Sequence, residues 1–160
     1  MSVRVQKHDF DVGVEYQKLR DACPNAGAVV VFVGLVREFN VMPTEPDKEQ
    51  QQVTHLELEH YAGMTESLID ETINSAQVRF DISQINVIHR VGVLHSRDQI
   101  VLVAAAGAHR GSTFAAAEFV MDYLKSTATI WKKEVTTEGE TWLGLKASDE
   151  HATKRWDANN

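Results

Sequence analysis

The amino-acid sequence predicts a protein of the α/β class (α/β or α+β), in which strands alternate with helices. Two features indicate this class. Short apolar runs rich in β-branched residues recur along the chain, as in buried strands. Two longer segments repeat apolar residues at the spacing of an amphipathic helix. With 160 residues, we expect one domain that spans residues 1–160 and builds its own core.

The first part of the chain is predicted to hold a short helix and then a buried strand. In a helix over residues 16–22, Tyr16 and Leu19 would face inward. The Val-rich run at residues 27–37 is typical of a buried strand. Gly34 interrupts this run, which indicates a bulge or the close approach of another part of the chain.

A polar segment at residues 38–52 follows the strand. It contains two prolines and shows no hydrophobic periodicity, so we predict a mobile loop. Residues 55–60 alternate polar and apolar side chains, which predicts a strand with one solvent-exposed face. Residues 64–80 have helical spacing, with Thr65 as a candidate N-cap. The apolar positions of this helix are Leu68, Ile69, Ile73, Ala76 and Phe80.

The second half of the chain is predicted to begin with two strands and a helix. The strands lie at residues 85–94 and 99–106, and Gly107 ends the second one. Ser112 is a candidate N-cap for a helix that runs to about residues 125–126. The remaining predicted elements are strands at residues 129–135 and 142–145 and a helix at residues 148–156.

The composition argues against several classes of function. The formal net charge of −7 argues against nucleic-acid binding, and no basic cluster suggests a membrane-surface protein. The longest apolar runs, near residues 28–33 and 100–106, are too short to cross a bilayer. The N-terminus lacks the apolar segment of a secretory signal, so we expect a cytoplasmic location. Cys23 is the only cysteine, which excludes an intrachain disulfide framework and a cysteine-based metal site.

Cations gather around one apolar helix in this acidic chain. His109 and Arg110 precede the helix, where free N–H groups, the helix dipole and a guanidinium favour an anion. The alternative is a solvated turn, or Arg110 paired with a local carboxylate. Lys125 lies at the other end of the helix, where a surface lysine also suits the dipole. Lys132 and Lys133 follow in a predicted strand and point to opposite faces, so one of them can share a pocket with Lys125.

Helix length separates these cations into two groups. Arg110 and Lys125 are fifteen positions apart, which is about 22 Å along a helix. One small substrate cannot readily touch both ends. Either one end matters, or the ends belong to different sites, or two chains form one site. We favour a symmetric dimer in which His109 and Arg110 of one protomer complete the lysine pocket of the other.

Three further polar groups have less specific patterns. Arg37 ends the buried strand at the start of the polar segment, where binding sites are often built, although a solvated strand-end charge has the same pattern. His55, Glu57 and Glu59 share one face of a strand but have no companion CxxC or HExxH motif, so we predict no metal site. The His-Arg pair at residues 89–90 ends a strand-like segment and is interpreted as structural.

Five stretches, taken together, are specific to one known family. The chain resembles the large, catalytic subunit of molybdopterin synthase, the MoaE family. The stretches follow the family's order and cover most of residues 27–156, where we expect the core. They are VVVFVGLVR (29–37), LELEHYAGMTE (56–66), VIHRVGVL (87–94), AHRGSTFAAAEFVMDYLK (108–125) and IWKKE (130–134).

The resemblance implies an α/β hammerhead-type fold with an additional small antiparallel sheet. It implies a homodimer in which each protomer binds one small ubiquitin-like sulfur-carrier subunit, giving a heterotetramer. That partner carries a C-terminal Gly-Gly thiocarboxylate and delivers sulfur to cyclic pyranopterin monophosphate. Two rounds of transfer install the dithiolene of molybdopterin. No cofactor or bound metal is implied, because other proteins add the metal later.

The family's pocket maps onto this chain position by position. Leu35 stands where the family has a lysine, so only a backbone or apolar contact remains there. The resemblance implies that the phosphate is held by Arg37, His109 and Arg110. Lys125 would assist proton transfer, and Lys132 would position the pterin and stabilise negative charge. The predicted substrate-binding residues are Leu35, Val36, Arg37, His109, Arg110, Lys125, Lys132, Lys133 and Glu134, with Lys125 and Lys132 catalytic. The alternative is a non-catalytic anion- or pterin-binding scaffold for a small partner protein.

Overall fold

The structure, a computed structural model, describes residues 2–39, 52–126, 129–144 and 152–156. Most of the predicted mobile loop over residues 38–52 lies outside the described residues. Among the described residues, no helix combines the length and apolar character needed to cross a membrane. The elements, in chain order, are β1 (Ser2–Gln6), α1 (Val12–Ala22), β2 (Ala28–Leu35), β3 (Val53–His60), α2 (Met64–Phe80), β4 (Ile82–Arg90), β5 (Gly92–His95), β6 (Gln99–Gly107), α3 (Arg110–Ser126), β7 (Ile130–Thr136) and β8 (Gly139–Leu143), and residues 152–156 are also helical.

The strands form two four-stranded sheets, which confirms the predicted α/β class and the additional small antiparallel sheet. The first sheet has the order β1-β4-β6-β2, and its β1–β4 pair is parallel whereas the others are antiparallel. The second sheet has the order β5-β3-β7-β8 and is antiparallel throughout. A separate apolar cluster that includes Val36, Leu58 and Val91 joins β3 and β5 of the second sheet to the end of β2 and to the β4–β5 junction.

Alternation along β6 explains how helices cover both faces of the first sheet. Val101, Val103 and Ala105 pack with α2 and α3, whereas the intervening Leu102 and Ala104 face the side of α1. Because both faces are covered, the strand reads as a continuous apolar run.

The N-terminal elements extend the fold beyond the stretch predicted as core. β1 is a short edge strand that was not predicted, because five residues with two valines carry little periodic signal. Leu19 of α1 is fully buried, as predicted, but the inward orientation predicted for Tyr16 is wrong, because Tyr16 is 39% exposed. Glu15 is buried instead, where it pairs with Arg4 and with Lys18.

The strand predicted over residues 85–94 is two strands that belong to different sheets. β4 ends at Arg90, and Gly92 at the start of β5 has a φ of +90°, a left-handed conformation that favours glycine. Hydrophobicity alone could not reveal this break, because Val91 is buried at the junction and continues the apolar pattern.

The N-caps predicted for both long helices are also wrong. α2 is capped at Gly63, whose N–H donates to the Glu66 carboxylate at 2.7 Å, and Thr65 lies inside the first turn. The hydroxyl of Thr65 instead donates to the carbonyl of Tyr61 at 3.1 Å. α3 starts at Arg110, so Ser112 also lies within its first turn. Both helices therefore start one or two residues before the expected hydroxyl.

Candidate anion-binding site

The end of β2 presents one buried and two exposed side chains. The pairing of β2 with β6 slips between Gly34 and Leu35, which confirms the predicted bulge. A Cβ at Gly34 would lie 2.8 Å from Cγ1 of Val101, so only glycine allows this close approach. Beyond the bulge, Val36 is 2% exposed and packs between the sheets, whereas Leu35 is 54% exposed and Arg37 is exposed. Arg37 therefore follows the end of β2 with its side chain exposed.

The turn before α3 is held by backbone contacts. The carbonyl of His109 accepts the N–H of Thr113 at 3.1 Å and its hydroxyl at 2.8 Å. The N–H of Gly27 donates to the carbonyl of Gly107 at 3.0 Å, and a Cβ on Gly27 would lie 2.4 Å from the carbonyl oxygen of Ala108. The backbone at His109 is thus fixed, while its side chain is exposed at the start of the helix.

Lys125 lies in the last turn of α3, at the opposite end from Arg110. Only two residues join β6 to α3, so α3 runs antiparallel to β6. Because β2 is also antiparallel to β6, α3 and β2 run in the same direction. Ala28, at the start of β2, pairs with Gly107 beside the first turn of α3. The end of β2 that carries Arg37 therefore lies toward Lys125. Within one protomer, Arg37 and Lys125 share one end of the first sheet, and Arg110 lies at the other end.

Register settles which lysine of β7 faces the core. Lys132 pairs with Leu58 across the β3–β7 ladder, and directly opposite residues of an antiparallel pair share a face. Leu58 is 2% exposed and packs between the sheets, so we name this side of the second sheet the inner face. Glu134 lies on the inner face too, opposite the buried Leu56.

Lys133 lies on the other, outer face of the second sheet. Its ammonium is 2.6 Å from the Glu57 carboxylate and 3.3 Å from that of Glu140. It also lies 5.8 Å from the ring centroid of Trp142. The hydrogen bond to Glu57 raises the pKa of Lys133, and the same bond lowers the pKa of Glu57. Lys133 is thus held by two carboxylates, and its role in substrate binding stays a prediction.

A hydrogen-bonded pair of threonines, of which Thr65 is buried and Thr129 partly buried, ties the lysine-bearing elements together. The hydroxyls of Thr65 and Thr129 are 2.8 Å apart, and the N–H of Tyr61 donates to the carbonyl of Thr129 at 3.4 Å. Thr129 lies between Lys125 on α3 and Lys132 on β7, so these bonds anchor the connection between the two lysines to the start of α2.

A buried histidine, His89, adjoins the inner face, and its proximity to Lys132 was not predicted from the sequence. The Nδ1–H of His89 donates to the carbonyl of Arg90 at 2.8 Å. Burial lowers the pKa of His89 to about 4, and the nearby charges of Lys132 and His60 act in the same direction. Nδ1 of His60 is itself buried without a hydrogen-bond partner among the described residues. The sequence did hold one signal for the position of His60. Alternation in the HLELEH run (55–60) puts His60 on the same face of the strand as Leu58.

Four of the predicted site cations are unpaired among the described residues. The side chains of Arg37, His109, Arg110 and Lys125 are exposed and make no hydrogen bond or ion pair within the described ranges. Arg90, by contrast, is buried and donates to the carbonyl of Gln99 at 2.9 Å, which agrees with its structural interpretation. In the part of the chain that the structure describes, no three His, Cys, Asp or Glu side chains gather as they would around a metal ion.

Fold and site together describe an α/β protein with exposed cations at both ends of helix α3, a candidate anion-binding arrangement in which these side chains are unpaired among the described residues. The chain belongs to the MoaE family, because the family model described as "MoaE protein" matches residues 5–127. It is 48% identical over 155 residues to the molybdopterin synthase catalytic subunit of Ralstonia nicotianae, covering 97% of this chain and 84% of that protein. It is also 48% identical to the same subunit of Vibrio cholerae, covering 97% of each.

A solved structure shows the same fold. The molybdopterin biosynthesis MoaE protein from Burkholderia ambifaria matches with a TM-score of 0.80 at 42% identity, covering 98% of this chain and 97% of that chain. The predicted family, its fold and its class of enzyme, a molybdopterin synthase catalytic subunit, are therefore confirmed. The residue assignments within the site stay predictions.

Proposed function

We propose that this chain transfers sulfur from the C-terminal thiocarboxylate of a small ubiquitin-like subunit to cyclic pyranopterin monophosphate. The observation that carries the proposal is a set of exposed cations, Arg37, Arg110 and Lys125, that make no ion pair with any described residue in a chain of net charge −7. A phosphate-bearing substrate and an anionic thiocarboxylate both need such groups. Because Cys23 is the only cysteine and lies outside this set, the sulfur must come from another molecule.

The chemistry requires no resident cofactor. The thiocarboxylate sulfur bonds to a side-chain carbon of the pterin as a carbon–oxygen bond at that carbon breaks. In one round the leaving oxygen belongs to the cyclic phosphate, which opens to a monoester, and in the other round the oxygen leaves as water. Water then cleaves the acyl–sulfur bond, so the partner leaves with an ordinary carboxylate. A second partner molecule repeats the transfer and completes the dithiolene. Lys125 engages the thiocarboxylate carbonyl and moves protons, and Lys132 stabilises negative charge as it develops.

The geometry supports a site made by two protomers. Arg37 and Lys125 share one end of the first sheet, whereas His109 and Arg110 lie at the other end. A phosphate held by Arg37 together with His109 and Arg110 therefore requires two chains. In the proposed heterotetramer, these two chains form the homodimer, and each binds one small subunit. The relatives carry the name catalytic subunit, which fits an enzyme with a second kind of chain. The cytoplasmic location remains a prediction from the sequence.

The test replaces Lys125 in the complex with thiocarboxylated small subunit. We expect Lys125→Ala to abolish nearly all molybdopterin formation, with the dimer intact by size-exclusion chromatography. Lys7→Ala, which removes another exposed lysine, is the control and should keep normal turnover. Substantial turnover by Lys125→Ala would remove this lysine from the mechanism. If the wild-type protein bound the substrate and partner without turnover, the chain would be a scaffold instead.

A further inference from the structure

The helical segment at residues 152–156, here called the C-terminal clasp, is fastened to the last turns of α3. Nε1 of Trp156 donates to Oδ2 of Asp122 at 2.8 Å, and Arg155 contacts the same oxygen at 2.6 Å. Arg155 also lies 2.7 Å from the Glu118 carboxylate. The pairing with these carboxylates raises the pKa of Arg155. Asp122 thus has two donors, and both come from the clasp.

Aromatic contacts hold the clasp in place. The ring of Trp156 lies edge-on to Phe80 of α2 at 5.6 Å and to Phe119 of α3 at 5.4 Å between centroids. Arg79 donates to the carbonyl of Trp156 at 2.6 Å and lies 5.8 Å from its ring centroid. The clasp therefore docks on two helices at once, and its position does not depend on Asp122 alone.

Asp122 and Lys125 are neighbours on the surface of α3. Residues three apart on a helix have adjacent side chains, and an acid that precedes a lysine at this spacing forms an ion pair readily. The Asp122 side chain is only 15% exposed, so its carboxylate needs a partner. With the clasp docked, that partner is Arg155 together with Trp156, and Lys125 makes no ion pair among the described residues.

We propose that the C-terminal clasp keeps Lys125 available by occupying Asp122. Asp122, Arg155 and Trp156 are then positioning residues for the reaction, because none of them touches the substrate. Without the clasp, the Asp122 carboxylate would draw the Lys125 ammonium back onto the helix surface and away from the thiocarboxylate. This inference rests on the proposed function for its importance, but the availability of Lys125 can be measured without turnover.

The first experiment frees Asp122 from both donors. Arg155→Met removes the charge, and Trp156→Phe removes Nε1–H but keeps an aromatic ring against Phe119. Labelling of Lys125 by an amine-reactive acetylating reagent is followed by mass spectrometry in the full-length dimer. We expect the double variant to label about twofold to fivefold more slowly, the range expected for a newly formed ion pair. Lys154→Gln, which removes an exposed cation from the same segment, should label at the wild-type rate.

The second experiment separates this role from a merely structural one. Adding Asp122→Asn to the double variant removes the carboxylate that would capture Lys125, so labelling should return to within about 1.5-fold of wild type. Turnover with thiocarboxylated partner should fall in the double variant and recover in the triple variant.

Two results would overturn the inference. An unchanged labelling rate in the double variant would show that Asp122 does not capture Lys125. A slow rate that Asp122→Asn fails to restore would show that the clasp acts only through the fold, which thermal unfolding of each variant would register. Both results leave wild-type turnover untouched, so failure of the inference is distinct from failure of the proposed function.

Discussion

The ammonium of Lys133 lies 2.6 Å from the carboxylate of Glu57, its direct neighbour across the β3–β7 ladder. This contact lies on the outer face of the second sheet. Lys132, one residue earlier, points to the inner face because side chains alternate along a strand. Two adjacent lysines in one short motif therefore have different surroundings, and the register of one strand pair separates them.

Removing the Lys133 ammonium should make stability less dependent on acid pH. The Lys133 hydrogen bond lowers the pKa of Glu57 from its usual 4.5, so the pair stabilises the fold above about pH 4.5. That contribution disappears as the pH falls through the lowered pKa of Glu57. We expect Lys133→Met to lower the urea midpoint at pH 7, and the difference from wild type to shrink toward pH 3. A difference that stayed constant with pH would contradict the assignment.

The same variant tests the predicted role of Lys133 in substrate binding. A loss of turnover at a temperature where the variant is fully folded would support that role. Lys132→Met is the matched comparison, because it removes the neighbouring ammonium from the inner face. We expect it to reduce turnover more than Lys133→Met.

Acid should destabilise the protein through His89. Its pKa is lowered to about 4 from the usual 6.5, mainly by burial and further by the charges of Lys132 and His60. Between these values the unfolded chain binds a proton that the folded chain does not, so the free energy of unfolding falls as the pH drops from 6.5 to 4. The total is about 3 kcal/mol. His89→Asn, which keeps an N–H for the Arg90 carbonyl, should flatten this slope in urea titrations. Equal slopes of unfolding free energy against pH for the wild type and His89→Asn would refute the assignment of this acid sensitivity to His89.

A methyl group at Gly27 should disturb the turn that carries His109 and Arg110. The added Cβ would lie 2.4 Å from the carbonyl oxygen of Ala108, and a backbone atom cannot move aside cheaply. We expect Gly27→Ala to cost about 1–3 kcal/mol and to weaken inorganic phosphate binding measured by calorimetry. Gly111→Ala is the control, because a Cβ there meets nothing within 4 Å. Wild-type stability and phosphate affinity in Gly27→Ala would contradict the structure.

Mixed dimers should reveal whether two chains share one site. Arg110→Ala and Lys125→Ala are each expected to reduce turnover strongly in homodimers. If one protomer supplies Arg110 and the other Lys125, a heterodimer of the two variants contains one intact site. Turnover should then recover to about half of the wild-type rate per dimer. No recovery, with heterodimers demonstrated by two different affinity tags, would place both residues in separate sites.

Local patterns predicted most of the secondary structure, because the relevant forces act over a few residues. The helical spacing of Ile69, Ile73 and Ala76 marks α2, and the helix has the predicted bounds, Met64–Phe80. The errors fall where local patterns compete with tertiary contacts. Thr65 looks like an N-cap, yet its hydroxyl is buried against Thr129, which is distant in sequence.

The cations of the candidate site could also be predicted from the sequence, because charge in an acidic chain and proximity to a helix end are visible there. The surroundings of these cations could not be predicted from the sequence. The burial of His89 beside Lys132 and the pairing of Asp122 with Arg155 join residues far apart in the chain. Such contacts depend on how sheets and helices pack, and no window of neighbouring residues contains them.

By itself, the sequence determined the class of fold, the family and the residues from which a site can be made. Only the tertiary structure decided that Lys132 faces the core while Lys133 faces a carboxylate, and that Arg37 lies at the Lys125 end of the sheet rather than at the Arg110 end. The physical reason is that side-chain identity is a local property, whereas strand register and helix direction arise from pairing between distant segments.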